Sequence, residues 1–425
     1  MKLRTGVIVL AALWLASILC LPGPAPAADK EVIRFWTLLD LKDPGPRSEA
    51  LRQMLAQFEK KQPNIHVQVE TVPWHQVDQQ LIQASAAGKG PDVSIVSGQV
   101  IAQHVRAKTL VPLDDFVARW PAKERNDFLI PLKQTTFDGK IMGLFFQHRV
   151  AVLYYRDDYL KAKGVAVPKT WAELVEAGRK LSGGNVVGFA WGLDPRARAT
   201  ALTEPLVSMF WAAGEEILDA SGKATFNSPA GVKVYQFIND LVQKKAMDAS
   251  VASYTYEDVF QAVKSGTAAM NFLGSHRVVA AREAGNLGAK LKTAPLPGLT
   301  PGKPAPAHVF GWTLAISKDS THREAAWKLI DHLLSYESRL IDAKLSGELP
   351  SRKSVYDDPW FKTAEARELK SWADYAGTYG RVFTYPEKYV RMSELLAEAA
   401  QEMVLQGAPA QQVLDKAARK YNEIR

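Results

Sequence analysis

The sequence predicts an α/β protein of two lobes, each a mostly parallel sheet flanked by helices, with the lobes joined at a hinge. Three features of the chain point to it. Between Glu31 and Val96 the residues read strand, helix, strand, helix, strand, an order that sets consecutive strands parallel and lays helices on the faces of the sheet. The chain has 425 residues; about 400 remain without its leader, more than the ~250–300 residues at which a single core stops growing. In the third feature, Ile141 to Pro168, three polar residues interrupt a strongly apolar strand.

The leader comes first. Lys2 and Arg4 precede an apolar run of 15 residues, Val7 to Leu21, which is followed by Pro22-Gly23-Pro24 and Ala25-Pro26-Ala27. A basic start, a short apolar middle and an A-x-A site make a secretory signal peptide over residues 1–27. The run is shorter than the ~20 residues of a membrane span. The single cysteine, Cys20, follows the large Leu19, whereas a lipidated cysteine follows a small residue. Cleavage near Ala27 is therefore expected rather than lipidation, leaving a mature chain without disulfides.

Glu31–Leu38 reads as the first strand. Ser48–Lys60 follows as a helix with Leu51, Leu55 and Phe58 on one side. Ile65–Glu70 alternates apolar and polar, as a half-buried strand does. Val77–Ala87 is a helix, and Gly88-Lys89-Gly90-Pro91 turns into the strand Asp92–Val96. In the interrupted stretch, Phe145, Phe146, Val150, Val152, Tyr154 and Tyr155 favour a strand. Gln147-His148-Arg149 cannot all face one core, so at least one face meets water, another domain or a ligand. Phe145–Val150 is thus the expected crossing between lobes, with the polar triplet at the mouth. Beyond it, a short helix opens at Tyr155–Asp158 and closes at Gly164–Pro168. Thr170 and Glu173 are spaced as a capping box. Val186–Trp191 reads as a strand, Ser228-Pro229 as a helix start, and Ala268–Leu273 as a strand ending in Gly274-Ser275-His276. Val309–Ser317 is a strand again. Thr321–Glu324 is spaced as a capping box before a helix with Ala326, Leu329, Ile330, Leu333 and Leu334 inside.

Charge and motifs narrow the function. The formal net charge is +8, but the charges are interspersed and form no basic block, so no nucleic-acid partner is expected. G-x-S-x-G and H-E-x-x-H are absent. Gly298–Lys303 falls one residue short of a P-loop and runs into Pro304, and Gly88-Lys89-Gly90 lacks the third glycine of a dinucleotide loop. The eight histidines show no metal-ligand spacing, so no metal or other cofactor is expected. Asp114-Asp115, Asp157-Asp158, Glu215-Glu216 and Asp357-Asp358 suit helix-end caps better than two carboxylates facing across a cleft. An enzyme is not expected. Eleven tryptophans stand out instead. Trp36, Trp74, Trp211 and Trp312 lie at strand ends or in loops, and open α/β sheets hold ligands beyond the carboxyl ends of their strands. Flat sugar faces can stack on such rings while a few polar groups fix the hydroxyls.

Several segments then fall into a familiar order: FEKKQPNIHVQVETVPW and GKGPDV, LVPLDDF, LYYRDDYLKAKGVAVPKTWAEL, GEEILDASGKATFNSPAG, AVKSGTAAMNFLGS, HVFGWTLAISKDSTHREAAWKLIDHL and GELPSRKSVYDDP. With these the chain resembles the extracellular solute-binding proteins of ABC importers, the carbohydrate-uptake family of periplasmic binding proteins. It departs from that pattern at Arg156, where the family commonly has Asn, and at Phe310-Gly311, where it often has two glycines. The resemblance implies two α/β lobes that close on ligand about a hinge, residues 28–146 with 294–345 and residues 147–293 with 346–425. It implies ligand contacts from Trp36 and Asp40, from Trp74, and from Gly98 and Gln99. Further contacts are implied from His148, from Gly274, Ser275 and His276, from Gly311 and Trp312, and from Arg352 and Tyr385. Other roles are open to some of these: a half-buried histidine at His148, a turn at Gly274, a core ring at Trp312, a salt bridge from Arg352 to Asp357-Asp358. The implied protein is a periplasmic monomer that passes a small carbohydrate or related polyol to membrane permease subunits. A phosphorylated polyol such as a glycerophosphodiester is the alternative ligand, and a secreted carbohydrate-active hydrolase the alternative class.

Overall fold

The computed structural model describes residues 30–424; the signal peptide, Cys20 and the cleavage near Ala27 lie outside the described residues. The strands that position the site are β1 (Glu31–Thr37), β2 (Ile65–Thr71), β3 (Val93–Ser97), β4 (Leu144–Arg156), β5 (Met270–Gly274), β6 (Leu291–Ala294), β7 (Ala307–Ile316), β8 (Leu349–Pro350) and β9 (Gly380–Val382). They join in one nine-stranded sheet. β1 pairs in parallel with β2 and β3, through the helices Pro46–Lys61 and Val77–Ala86.

The two long strands organise the rest. β4 and β7 run antiparallel from Leu144 opposite Leu314 to Val150 opposite Val309. There they part. β4 continues between β5, Ala151 opposite Gly274, and β6, Leu153 opposite Ala294. At this end of β7, Ala307–Val309 take β9 in parallel, while its other half, Trp312–Ile316, pairs antiparallel with β3. The sheet is therefore mixed. Pairing is parallel in the first β-α-β-α-β run, and antiparallel where a strand leaving one region lies beside the strand that returns.

All of β4 is buried, which accounts for the apolar runs on either side of its polar triplet. One core packs on β1–β3 through Ile33, Phe35, Leu51, Phe58 and Leu329. Another, beyond Val150, contains Leu153, Trp191, Leu206, Phe272 and Leu396. A third lies along the crossing, with Val150, Val152, Leu273, Val309 and Leu349. The β4–β7 register shifts between Phe145 and Gln147. Phe146 is the extra residue of this bulge, and its carbonyl accepts from Arg339 Nη1 at 2.6 Å. Opposite the bulge, a Cβ on Gly311 would stand 1.9 Å from the Gln147 carbonyl oxygen. Only glycine lets the two backbones approach this closely.

Local expectations fail in two places. Val186–Trp191 is not a continuous strand; its backbone pairs with β5 and its approach through the isolated bridges Val187–Ala268 and Ala190–Asn271. The Thr321 cap is not formed either. The helix runs Arg323–Leu333 with no side-chain cap; just before it, the Ser320 hydroxyl donates to Asp92 and accepts the His322 N–H. Thr170 does accept the Glu173 N–H at 3.2 Å, while Glu173 reaches one residue further back, to the Lys169 N–H. Ser228 caps its helix through the Gly231 N–H.

Candidate functional site

A cavity of about 420 Å³ opens beside the crossing. Leu38–Asp40 follow β1, Trp74 follows β2, Gln99 follows β3, and His276 with Arg277 follow β5; all line it, together with Arg149 of β4 and Phe310–Trp312 of β7. The cavity thus lies outside the carboxyl ends of several strands, where α/β sheets hold ligands.

The polar triplet splits as strand alternation requires. Gln147 and Arg149 share a face. Arg149 Nη2 donates to Glu348 at 2.8 Å and to the Gln147 side-chain oxygen at 3.2 Å. Arg47 Nη2 approaches the same Glu348 carboxylate at 3.2 Å. His148 takes the other face, fully buried and stacked on Phe145 at 5.7 Å, with neither ring nitrogen hydrogen-bonded. Burial pushes its pKa down to about 3. Burial also lowers His276, and the nearby Arg149, Arg47 and Arg277 lower it further. Arg47 falls to about 10, through burial and then the neighbouring Arg149 and Arg277, against the pull of Glu348. Glu204 is pushed up to about 8 by burial, although Arg149 and Arg198 pull it down.

Across the cavity, the guanidinium of Arg198 lies 5.6 Å from the Trp74 ring and 5.8 Å from Trp312. It donates to Asp78 at 2.8 Å. Its loop is held in the left-handed region, with φ of 51°, 61° and 48° at Ala197, Arg198 and Ala199. Arg277 pairs with Glu257, whose carboxylate also accepts the Trp74 indole N–H at 3.3 Å.

Of the residues singled out from the sequence, Asp40, Trp74, Gln99, His276, Gly311 and Trp312 line the cavity. The others sit elsewhere, and each placement has a physical reason. Trp36 packs in the core on β1–β3, with its indole N–H donated to Glu70 at 2.7 Å. The Gly98 N–H donates to the Gly311 carbonyl, and a Cβ there would stand 2.7 Å from the Phe145 ring, so this glycine serves close packing. His148 lies on the far face of β4. Gly274 and Ser275 hold the crossing: the Gly274 N–H donates to the Tyr256 hydroxyl at 2.9 Å, and the Ser275 hydroxyl accepts the Val150 N–H at 3.4 Å. The Tyr385 hydroxyl contacts His308 Nε2 at 2.7 Å, against the core beyond Val150. Arg352 is corrected outright. It donates to the carbonyls of Leu334 and Glu124 and lies over the rings of Trp120 and Phe128, away from the cavity and without the salt bridge to Asp357-Asp358.

Sequence reasoning missed Arg47, Arg149, Arg198, Glu204, Tyr256 and Arg277, all of which line the cavity. Arg149 stood inside the polar triplet, and Arg277 directly follows His276, so both were within reach of the alternation argument. Arg47, Arg198 and Glu204 carry no local signal, because only the folded chain brings them to one place.

The fold and cleft define a two-lobed α/β binder with its site beside the crossing strands. Residues 44–339 match the family described as "Bacterial extracellular solute-binding protein", and the chain belongs to that family. A "Probable ABC transporter-binding protein" of Deinococcus radiodurans is 29% identical over 292 residues, 65% of this chain and 67% of that protein. The "Arabinooligosaccharide-binding protein" of Bacillus subtilis is 26% identical over 307 residues, 69% of this chain and 67% of that protein. Among solved structures, maltose-bound MalE3 of T. maritima superposes with a TM-score of 0.78 at 26% identity, covering 92% of this chain and 99% of that one. The protein is an extracellular solute-binding component of an ABC transporter. Among the described residues, no helix is long and apolar enough to cross a membrane.

Proposed function

We propose that the protein captures a carbohydrate or sugar-like solute in this cavity and delivers it, chemically unchanged, to the permease of an ABC importer. It does so as a periplasmic monomer after signal cleavage near Ala27, with residues 28–146 and 294–345 closing on the remainder about Phe145–Val150. The observation that carries the reading is the pairing of two indole faces, Trp74 and Trp312, with hydrogen-bonding side chains such as Gln99 in a cleft of about 420 Å³. Aromatic faces beside a few fixed polar groups suit a ring that is apolar on its faces and hydroxylated at its edge. The names of the Bacillus subtilis and T. maritima relatives favour the same ligand class.

Thermal-shift screening over mono- and oligosaccharides, followed by calorimetry, tests this. A bound ligand stabilises the folded state by about 2.7 kcal/mol at one hundred times its Kd. Saturable stabilisation by at least one carbohydrate is expected, with no new sugar released from oligosaccharides on prolonged incubation. A screen without any stabilising carbohydrate defeats the ligand class, and steady release of product defeats the reading of a pure binder.

A further inference from the structure

We infer that the ligand carries an anionic group, a carboxylate or a phosphate, seated against Arg47 and Arg277 with Arg149 behind them. The rest of the ligand is taken to be the carbohydrate proposed above, and the inference rests on that reading.

One wall of the cavity carries unequal charge. Arg47 and Arg149 share a single buried carboxylate, Glu348. Arg277 has Glu257, but that side chain is 45% exposed and is divided with the Trp74 indole. Glu204, the other acid on this wall, is held protonated by burial at neutral pH, its pKa pushed up to about 8. Asp40 and Asp43 stand at the exposed mouth, where they accept the backbone N–H groups of Lys42 and Gly45. The buried wall therefore holds more guanidinium than carboxylate charge.

The hydrogen bonds show the same excess. Arg47 Nε and Arg277 Nε are buried donors without a partner. A neutral sugar hydroxyl could accept from such donors, yet it would leave the surplus charge uncompensated in a poorly solvated site, which is costly. An oxyanion supplies both the acceptors and the charge. The guanidinium fork is shaped for the paired oxygens of carboxylate or phosphate. Trp74 and Trp312 would then face the uncharged part of the same molecule.

The test uses the mature protein in two arms. In the first, inorganic phosphate and acetate are titrated at constant ionic strength. Saturable stabilisation is expected in the wild type, and its loss in Arg47→Gln and Arg277→Gln, with urea unfolding confirming that both variants fold. Stabilisation that follows ionic strength alone, or that survives both substitutions, overturns the anion site. In the second, glucose and galactose are each compared with their uronic acids and 6-phosphates, which separates the two sources of the anion. An acid-bearing sugar is expected to bind more tightly than its neutral twin, and Arg277→Gln to weaken the acid by about 30-fold and so to shrink the preference of acid over neutral twin. Neutral twins that bind as tightly as the acids defeat this inference and leave the carbohydrate reading standing. Bare anions that bind while no acidic sugar improves on them support the anion site and defeat the carbohydrate reading.

Discussion

The guanidinium of Arg352 lies 4.8 Å from the Trp120 ring and 4.4 Å from Phe128, and that of Arg198 lies 5.6 Å from Trp74 and 5.8 Å from Trp312. The two settings look alike, and they do different work. Arg352 gives its donors to main-chain carbonyls of Leu334 and Glu124, groups fixed by the fold. Arg198 reaches a carboxylate, Asp78, and keeps a buried Nε without a partner. Its loop carries three consecutive left-handed residues, strain of the kind that collects at ligand sites. Aromatic rings around an arginine therefore do not mark a binding site. What marks it here is the acceptor on the far side and whether donors are left over beside a cavity.

The largest effect separates the two directly. Arg352→Ala removes two hydrogen bonds to carbonyls and the packing of the guanidinium on two rings, and should cost about 3 kcal/mol of stability. Ligand affinity should stay within about 2-fold. Urea unfolding and calorimetry on the same variant check this. A well-folded Arg352→Ala protein with strongly weakened binding would mean that the side chain swings into the cavity, and the comparison would collapse.

The same contrast explains what was legible in the sequence. The β-α-β-α-β head and the crossing at Phe145–Val150 could be read because alternation and apolar runs are local signals. The mixed pairing could not, since it depends on where β7 returns. At the site, Trp74, Gln99 and His276 follow strand ends, a position the topology makes informative. Arg352 was legible as a capable group but not in its direction, and a fork that suits a ligand suits two carbonyls as well. Glu204 was illegible, because its significance lies in being buried among Arg149 and Arg198.

Glu204 gives the intermediate effect. Its pKa in the folded protein, about 8, lies above the usual 4.5 of a free glutamate. Between those values the unfolded chain is ionised while the folded one holds a proton, so this group's stabilisation is lost as pH rises. The buried histidines with a lowered pKa, His332 among them, act in the opposite sense. His148 at about 3, His308 at about 4 and the lowered His276 stay neutral while the unfolded chain protonates below 6.5, so their stabilisation is lost as pH falls. Below 6.5 the histidines outweigh the single carboxyl; above it, among these groups, Glu204 acts alone. Stability should peak near there and decline toward pH ~8 by at most about 1.4 kcal/mol per unit. Glu204→Gln should flatten the alkaline decline and keep the acid one in urea unfolding across that range. An equally steep alkaline decline in the variant would show that Glu204 is ionised in the folded protein and able to balance Arg149 and Arg198. The cationic excess of the wall would then be smaller than inferred.

The smallest effect concerns Arg198 itself and separates its charge from its strain. Asp78 does not depend on it alone: the carboxylate also accepts the Ser97 N–H and contacts His104 Nε2, both at 3.1 Å. Losing the guanidinium therefore leaves the carboxylate still hydrogen-bonded, and Arg198→Ala should cost about 1–2 kcal/mol. Alanine keeps the penalty of the left-handed backbone, at φ 61°, whereas glycine adopts that conformation without it. Arg198→Gly should thus be more stable than Arg198→Ala by about 1 kcal/mol, the reverse of the usual order in a helix or strand. Both variants lack the guanidinium between Trp74 and Trp312, so their ligand affinities should change together. Urea unfolding reads the first quantity and calorimetry the second. If glycine is no better than alanine, the loop relaxes once the guanidinium is gone, and Arg198 is what holds it left-handed. If the two variants bind differently, the backbone of Ala197–Ala199, and not the guanidinium over the indoles, sets the shape of the cavity.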